Sequence, residues 1–343
     1  MAQTTTLIDK LRPLLAATAG RLVAAWLVIG LAVGGANALG WLEKIELLFY
    51  DTAIALSSAP GADAPVVLVG ATDVDLGAYG WPLPDDRLAA AIESLAAAGA
   101  VAVGVDLYRD RPVGGDEQVL AEVLGRRGNV VFVSKLSAGN LAAIDAPRVI
   151  RGGSQVGFAD IPVDDDGISR RALLFAEDRG AMQFSLGLRL ALRALEARGI
   201  KPERVGDSTR IRLGATTIRP IGESEGPYQN ADSGGYQLLI DFRESGTGFR
   251  RFSIADVLEG RVSPAQINGR VVIVGTTSQS VKDSFSVPSN RISGDRPAFG
   301  IELHGQIVSQ LLRLAEGRDG QLLSPPAALE YAEKNKQAQQ FDY

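Results

Sequence analysis

The sequence predicts an α/β fold: a mainly parallel, mixed sheet flanked by helices, with an antiparallel insertion, preceded by one transmembrane helix. Short runs of β-branched residues without polar interruptions are typical of strands buried on both faces of a sheet. Ala- and Leu-rich segments between several of these runs provide the helical crossovers that parallel strands need. An uncharged segment near the N-terminus is long enough to cross a membrane.

The membrane segment is predicted at residues 22–42, where no side chain is charged. About 20 apolar or small residues suffice for a hydrocarbon layer of about 30 Å. Three cations, Lys10, Arg12 and Arg21, precede the segment. The positive-inside rule therefore places residues 1–21 in the cytoplasm and the rest of the chain outside. The sequence thus predicts a single-pass protein of the inner (plasma) membrane with an extracytoplasmic domain.

Two further patterns in this segment bear on its role. Ala36-Asn37-Ala38 has the form of a signal-peptidase site, so a cleaved signal peptide is the alternative to a retained anchor. The long basic leader and the length of the apolar run favour the anchor. Gly30 and Gly34 form a GxxxG pair, which predicts close packing of two such helices in a homodimer.

The chain after the membrane segment is predicted to form one compact unit over residues 43–320, followed by a polar tail at 321–343. An amphipathic helix at 43–57 and a linker at 57–64 open this unit. Buried strands are predicted at 66–69, 101–105, 130–133, 238–240 and 271–274. Helices are predicted at 86–98, 115–127, 182–198, 253–259 and 299–316. Antiparallel hairpins are predicted at 168–176 and 210–221.

Composition narrows the possible functions. The net charge of −5 disfavours a nucleic-acid partner, because phosphate binding usually needs a basic surface. The chain has no cysteine and a single histidine, His304, which excludes disulfides, thiolate chemistry and zinc sites that need several such ligands. No phosphate-binding loop occurs in the soluble part, so we predict neither a nucleotide nor another cofactor.

The acidic run Asp164-Asp165-Asp166-Gly167 resembles part of a calcium-binding loop. The EF-hand pattern fails, because Pro162 takes the first ligand place and Leu173 the place of the terminal glutamate. We therefore predict a turn followed by Arg170-Arg171, and no metal site.

Polar residues follow three of the predicted strands at their carboxyl ends, where open α/β sheets bind ligands. Hydroxyls, carboxylates and cations presented by loops suit a small polar ligand. The candidate ligand-binding residues are Asp73 and Asp75 after the first strand, Asp106 and Arg109 after the second, and Thr276, Thr277, Lys282 and Asp283 after the last. The alternative is that these residues cap helices and pair with one another.

The lone histidine is predicted to be a packed or capping residue. No serine elbow and no HExxH motif accompanies His304, so a role as catalytic base is disfavoured. Because the charge of a histidine can change near pH 6–7, pH sensing by His304 is a second hypothesis.

Taken in chain order, a series of short segments resembles the CHASE2 sensor domain family over about residues 45–315. The order of the segments, rather than any one motif, carries the resemblance. The matching segments are Phe49-Tyr50-Asp51, 66–73, Trp81-Pro82, Ala98-Gly99-Ala100, Val105-Asp106, Asn129-Val130-Val131, Gly157-Phe158, 164–167, Arg170-Arg171, 240–243, 255–258, 269–275, Asp283, Pro288 and 300–304.

The resemblance implies an extracytoplasmic sensor module of the kind found in bacterial adenylate cyclases, histidine kinases and serine/threonine kinases. Two features depart from the family pattern. Ser324-Pro325-Pro326 leads into a polar tail instead of further membrane helices and an output domain. Asp241 and Phe242 stand where the family often has asparagine and tyrosine, which puts the role of that strand's polar group in doubt.

We therefore predict the signal-sensing domain of a bacterial membrane receptor, which is not itself an enzyme. It would pass on the presence of an unknown small ligand, or the state of the envelope, to a cytoplasmic kinase or nucleotide cyclase domain absent from this chain. The first alternative is an envelope protein-interaction or structural module without a small ligand. The second is a membrane-tethered hydrolase.

Overall fold

The computed structural model describes residues 20–36, 39–57, 64–114, 117–137, 142–223, 225–228, 231–243 and 248–323. Several features predicted from the sequence lie wholly or largely outside these residues. They are the cytoplasmic N-terminus, the centre of the cleavage pattern at Asn37, the linker at 57–64 and the polar tail at 321–343.

A six-stranded sheet in which all neighbours are parallel forms the centre of the domain. Its strands are β1 (Val66–Ala71), β2 (Ala102–Asp106), β3 (Val130–Ser134), β4 (Val156–Phe158), β11 (Arg250–Ser253) and β12 (Val271–Thr276). Their order across the sheet is β11-β1-β12-β2-β3-β4. All residues of β1 and β12 are buried, which explains why their sequences show no alternation of polar and apolar positions.

Helices cover both faces of this sheet. On one face lie α6 (Leu186–Glu196) and α10 (Gly300–Ala315), which share an apolar core with β1, β2 and β12. On the other face lie α4 (Asp85–Ala97), α5 (Glu117–Arg126) and α7 (Ile254–Leu258), which form a second core. The predicted α/β fold, with a parallel sheet between layers of helices, is confirmed.

Small antiparallel sheets make up the predicted insertion. The first has the order β10-β5-β6 and consists of β5 (Arg171–Asp178), β6 (Ala181–Phe184) and β10 (Tyr236–Leu239). The second is a meander of β7 (Pro202–Arg204), β8 (Ile211–Leu213) and β9 (Thr216–Ile218). The third pairs β13 (Ser284–Phe285) with β14 (Ala298–Phe299).

Two details of the predicted strand set are wrong. The apolar run at 238–240, expected beside the parallel strands, lies in the antiparallel sheet, because β10 pairs with β5. The parallel strands β4 and β11 were not predicted, since β4 has only three residues and β11 carries Arg250 and Arg251 at the sheet edge. Short or charged strands lack the apolar pattern that identifies a strand from sequence.

The remaining helices are α1 at 20–36, α2 (Glu43–Ser57), α3 (Asp73–Tyr79), α8 (Pro264–Ile267) and α9 (Pro288–Ser293). Among the residues that the structure describes, no helix is both long and apolar enough to cross a bilayer. Residues 39–42 form a turn between α1 and α2, so the single transmembrane helix predicted over 22–42 is not supported. Gly30 and Gly34 face open space, and the homodimer through this pair stays a prediction.

A buried guanidinium attaches α2 to the rest of the domain. Arg170 has no exposed surface and binds Asp51 of α2 through two hydrogen bonds of 2.6 and 2.8 Å. The same guanidinium donates to Asp164 at 2.6 Å and to Asp166 at 2.7 Å. Arg291 of α9 adds bonds to Asp51 and Asp166 at 3.1 and 2.6 Å. The acidic run at 164–166 therefore serves as a partner for arginine.

Replacing Asp51 by asparagine should destabilise the protein, because the cluster then has one negative charge fewer to compensate the buried Arg170. Asp51→Asn keeps the shape of the side chain but removes a charge that neutralises a fully buried cation, so we expect a loss of about 3–5 kcal/mol in the free energy of unfolding. Urea denaturation of both proteins would measure the loss. Asp86→Asn is the matched control, because Asp86 pairs with Arg87 on the surface and should change stability by less than about 0.5 kcal/mol. Equal effects of the two substitutions would contradict the assigned role of Asp51.

Candidate functional site

The carboxyl ends of four parallel strands meet at one edge of the central sheet. Asp106 ends β2 and Thr276 ends β12, while Lys135 and Asp160 lie just beyond β3 and β4. A pocket of about 420 Å³ opens at this edge and is closed on one side by the first turns of α10, at Gly300 and His304. Its other lining residues are Trp81, Leu107, Tyr108, Ala159, Ile161, Val281, Lys282, Asp283 and Phe285. We call this space the edge pocket.

Four of the predicted ligand-binding residues line the edge pocket together: Asp106, Thr276, Lys282 and Asp283. Chain topology explains why they meet, because β2 and β12 are neighbours in the sheet although about 170 residues separate them in the sequence. Their proposed contact with a ligand stays a prediction.

Four other predicted residues lie outside the edge pocket. Thr277 packs against Gly70 and donates its backbone N–H to Ala71 at 3.0 Å, and the other three hold loops in place. Asp75 and Thr72 form a capping box at the start of α3, and Asp75 also accepts a hydrogen bond of 3.1 Å from the backbone of Ala255. Arg109 forms a buried ion pair of 3.0 Å with Asp85. These contacts match the alternative that the residues cap helices and pair with one another.

Asp73, the third of them, links the first strand to the loop that follows the last one. Its carboxylate accepts hydrogen bonds from the hydroxyls of Ser278 and Ser280. These bonds lower the pKa of Asp73, which is exposed. They also hold the segment from Thr276 to Asp283 against the end of β1, so Asp73 shapes one wall of the edge pocket from outside.

The carboxylates of Asp106 and Asp283 lie close together at the start of α10. A Cβ placed on Gly300 would lie 3.0 Å from Asp106 Oδ2 and 2.9 Å from Asp283 Oδ2. Any side chain at this position would therefore press on both carboxylates, and glycine leaves the space between them open. Both groups are thus within reach of one small ligand.

The ionisation of this pair is strongly perturbed. Burial raises the pKa of Asp106 to about 7. Burial also raises the pKa of Asp283 to about 7, and the neighbouring charge of Asp106 acts in the same direction. Perturbed carboxyl groups in a pocket are typical of functional sites.

His304 forms part of the floor of the edge pocket. Its side chain is buried, and its Nε2 lies 3.8 Å from Asp106 Oδ2, which is too long for a hydrogen bond. Its Nδ1 has no hydrogen-bond partner among the described residues. Burial lowers the pKa of His304 to about 4, which keeps the ring neutral at pH 5–8 and disfavours the pH-sensing hypothesis.

Several residues of the edge pocket were not predicted from the sequence. Lys135 follows β3, so the carboxyl-end rule could have identified it. Asp160 follows β4, a strand too short to recognise, and therefore gave no signal. Trp81, Tyr108 and Gly300 enter the site through loops and a helix start, which only the tertiary structure brings together.

In each of two further pockets, a buried acid is paired with arginine, unlike the two acids of the edge pocket. One, of about 330 Å³, contains Glu302, which binds Arg296 at 2.8 Å and also pairs with Arg251. The other, of about 590 Å³, contains the Asp85–Arg109 pair. In the edge pocket, by contrast, Asp106 and Asp283 are near-buried acids without a cationic partner among the described residues, since the neighbouring His304 is neutral.

The acid pair should lower stability as the pH rises. Between about pH 4 and pH 7 the two folded carboxyl groups hold protons that the unfolded chain has released, so their contribution to stability falls across this range. The lowered pKa of His304 acts in the opposite direction, and the effect of the acid pair is therefore read from a variant. We expect Asp106→Asn to raise the free energy of unfolding by roughly 1–3 kcal/mol at pH 8 and to have little effect at pH 4. Urea denaturation at both pH values would measure this difference.

Asp73→Asn provides a control of opposite sign. Because its hydrogen bonds lower the pKa of Asp73, the carboxylate contributes stability above pH 4 that is lost as the pH falls through its folded pKa. This variant should therefore be less stable than the unsubstituted protein at pH 8. A destabilised Asp106→Asn at pH 8 would show that Asp106 has a partner after all.

Comparison with known proteins identifies the family. A model of the CHASE2 domain matches residues 24–333, which is nearly the whole chain and includes every residue of the edge pocket. No curated protein and no solved structure matches the chain. CHASE2 domains are extracytoplasmic, sensory and non-catalytic, and they occur in signalling receptors. The resemblance seen in the sequence is thus confirmed, and this chain belongs to the CHASE2 domain family.

Proposed function

We propose that this protein is the ligand-sensing region of a bacterial membrane receptor and that the edge pocket is its ligand site. The observation that carries the proposal is a buried helix that joins the pocket to the two ends of the domain. Helix α10 begins at Gly300 in the pocket wall, and all 16 of its residues are buried. At 1.5 Å per residue the helix is about 24 Å long.

The segment that follows α10 contacts α2, through which the chain enters the domain. Leu322, shortly after α10, packs in one apolar cluster with Leu47 and Tyr50 of α2. Arg313 in the last turn of α10 pairs with Asp241 and Asp319. A shift of α10 at the pocket would therefore reach the place where both ends of the domain pack together. Asp241, which departs from the family pattern, has a defined partner in this contact.

The exposed apolar side chains of α1 support a membrane anchor in this proposal. Large apolar side chains of this helix are exposed, among them Leu22, Trp26 and Leu31. Burial of such side chains in lipid would remove them from water. We propose that residues 1–21 lie in the cytoplasm and that the sensor domain lies outside the inner membrane. Pairing of two chains through Gly30 and Gly34 would bring their output domains, kinase or nucleotide cyclase, together.

Signalling requires that the ligand bind two arrangements of the domain with different affinities. In this proposal the arrangements differ in the position of α10 relative to α2. A ligand that contacts Asp106, Asp283 and the first turn of α10 would favour one of them. A site that bound both arrangements equally would transmit nothing, however tightly it bound.

The acid pair also favours a second candidate function, a hydrolase. Two carboxyl groups with raised pKa values in a pocket are the residue types that acid–base hydrolysis uses. Such chemistry normally needs one carboxyl group to be protonated and the other ionised, and here burial acts on both in the same direction. The sensory family also argues against it. Turnover of any substrate that Asp106→Asn abolishes, with the fold intact, would favour the hydrolase.

A ligand screen on the full chain tests the sensor proposal. We expect some small polar compound to raise the melting temperature of the protein and to lose this effect in Ala159→Phe, which fills the edge pocket. Ser289→Phe is the matched control, because it puts the same ring into the pocket beside Glu302. A compound that stabilises the protein and Ala159→Phe equally would place its site elsewhere.

The same compound should move α2 relative to the end of α10. The chain contains no cysteine, so Leu48→Cys and Arg318→Cys would carry the only two spin labels, both at exposed positions. We expect pulsed electron–electron double resonance spectroscopy to show a changed distance between the two spin labels when the compound binds. An unchanged distance distribution at saturation would contradict transmission along α10 and favour a module that binds without signalling.

A further inference from the structure

The acid pair of the edge pocket differs from the buried acids of the domain, since Asp106 and Asp283 are partly buried. Among the described residues, each buried carboxylate has a hydrogen-bond donor. These are Asp51, Asp75, Asp85, Asp164, Asp178, Glu225 and Glu302. The side chain of Asp106 is only 9% exposed. Within the described part of the chain, neither Asp106 nor Asp283 accepts a side-chain hydrogen bond, and His304, which lies 3.8 Å from Asp106, is neutral.

An ionised carboxylate that leaves water without a partner costs several kcal/mol. Natural proteins match such groups almost everywhere, and unmatched ones are concentrated where a ligand completes the site. His304, whose buried Nδ1 has no partner among the described residues, also lines the pocket. Three lining residues thus carry a polar group that the described part of the protein does not match.

We propose that Asp106 and Asp283 bind the ammonium group of a small organic cation. This inference rests on the proposed function of the edge pocket as a ligand site. One ammonium group between the two carboxylates would offset one of their two negative charges and supply the donors that they lack. A neutral ligand could supply donors but would leave the two negative charges facing each other.

The rest of the edge pocket suits the carbon skeleton of such a cation. Trp81 and Tyr108 are each 40% exposed and line the pocket with Phe285, so the lining includes aromatic side chains that suit an ammonium-bearing carbon chain. The other charged groups of the pocket are Asp160, Lys135 and Lys282. Asp160 is already bound by the backbone of Leu136 at 2.9 Å.

A metal ion is a poorer occupant. Among the described residues no group of three or more carboxylate or histidine ligands is arranged to hold one. Two carboxylates without a third ligand provide acceptors for the donors of an ammonium group, but they give a divalent ion an incomplete shell.

Binding measurements on the full chain test this inference. The probes are ethanolamine and 1,4-diaminobutane, and their matched neutral analogues are ethylene glycol and butane-1,4-diol. Isothermal titration should show binding of the amines and none of the diols. Asp106→Asn and Asp283→Asn should each weaken amine binding by roughly 10- to 100-fold, as expected for a hydrogen bond to a charged group. Asp86→Asn, a substitution of the same kind at an exposed position outside the pocket, should leave the affinity unchanged.

The pH dependence provides an independent readout. Ionised carboxylates bind a cation more tightly than protonated ones, and the pKa values near 7 therefore predict tighter amine binding at pH 8 than at pH 6. The amines themselves stay protonated across this range. His304 stays neutral in this range, but burial also raises the pKa of Asp160 in the same pocket. The acid pair therefore accounts for the pH dependence if Asp106→Asn and Asp283→Asn each reduce it.

The outcomes separate this inference from the proposed function. Diols that bind as well as amines, or amines that bind both asparagine variants normally, would overturn the ammonium site. If another compound then binds and Ala159→Phe abolishes its binding, the sensor pocket stands and only the class of ligand is wrong. If the amines do not bind and no compound is sensitive to Ala159→Phe, both proposals fail.

Discussion

The guanidinium of Arg170 imposes the constraint on which the assembly of this domain depends. A cation with no exposed surface has lost its hydration, and only well-placed anions can compensate for that loss. The compensating carboxylates come from distant parts of the chain, Asp51 in α2 and the turn that carries Asp164 and Asp166. The cluster therefore makes the entering helix α2 an integral part of the domain. It also explains why an acidic turn that resembles a calcium loop has a purely protein partner.

The edge pocket, by contrast, contains acids that have no hydrogen-bond donor among the described residues. Most buried acids of the described chain are matched, whereas Asp106 and Asp283 meet at the start of α10 without a donor. An unpaired carboxylate that is shielded from water lowers stability, and proteins keep such groups mainly where function needs them. The position at the carboxyl ends of β2 and β12 adds a second reason, because ligands of open α/β sheets bind at this edge.

Helix α10 runs from the edge pocket towards α2, the helix that the Arg170 cluster attaches to the domain. Its first residue separates the two carboxylates, and its last turn leads to the cluster that contains Leu47, Tyr50 and Leu322. Because the helix is buried along its whole length in a close-packed core, it moves as a unit if it moves at all. Under the proposed function, a change at the pocket wall and a change at α2 would be two ends of one displacement, which is the coupling that a sensor requires.

Local patterns in the sequence were sufficient to predict the class of fold and the edge of the sheet at which the pocket lies. Apolar runs and helical periodicity depend on neighbouring residues alone, and Asp106, Thr276, Lys282 and Asp283 could be chosen because each follows a strand that is evident from such a pattern. The order of the family motifs along the chain was likewise sufficient to identify the sensor domain.

Which of the candidates share a pocket depends on tertiary packing. Asp75 and Arg109 are of the same residue types and lie at the same edge, yet they hold loops in place, because their partners Ala255 and Asp85 happen to be near. The run at 238–240 pairs in an unexpected sheet for a similar reason, since an apolar strand does not encode its neighbour. Gly300 and His304 complete the site from a helix that starts about 190 residues after β2 ends. Contacts over such separations depend on how whole layers pack, and no local pattern in the chain carries that information.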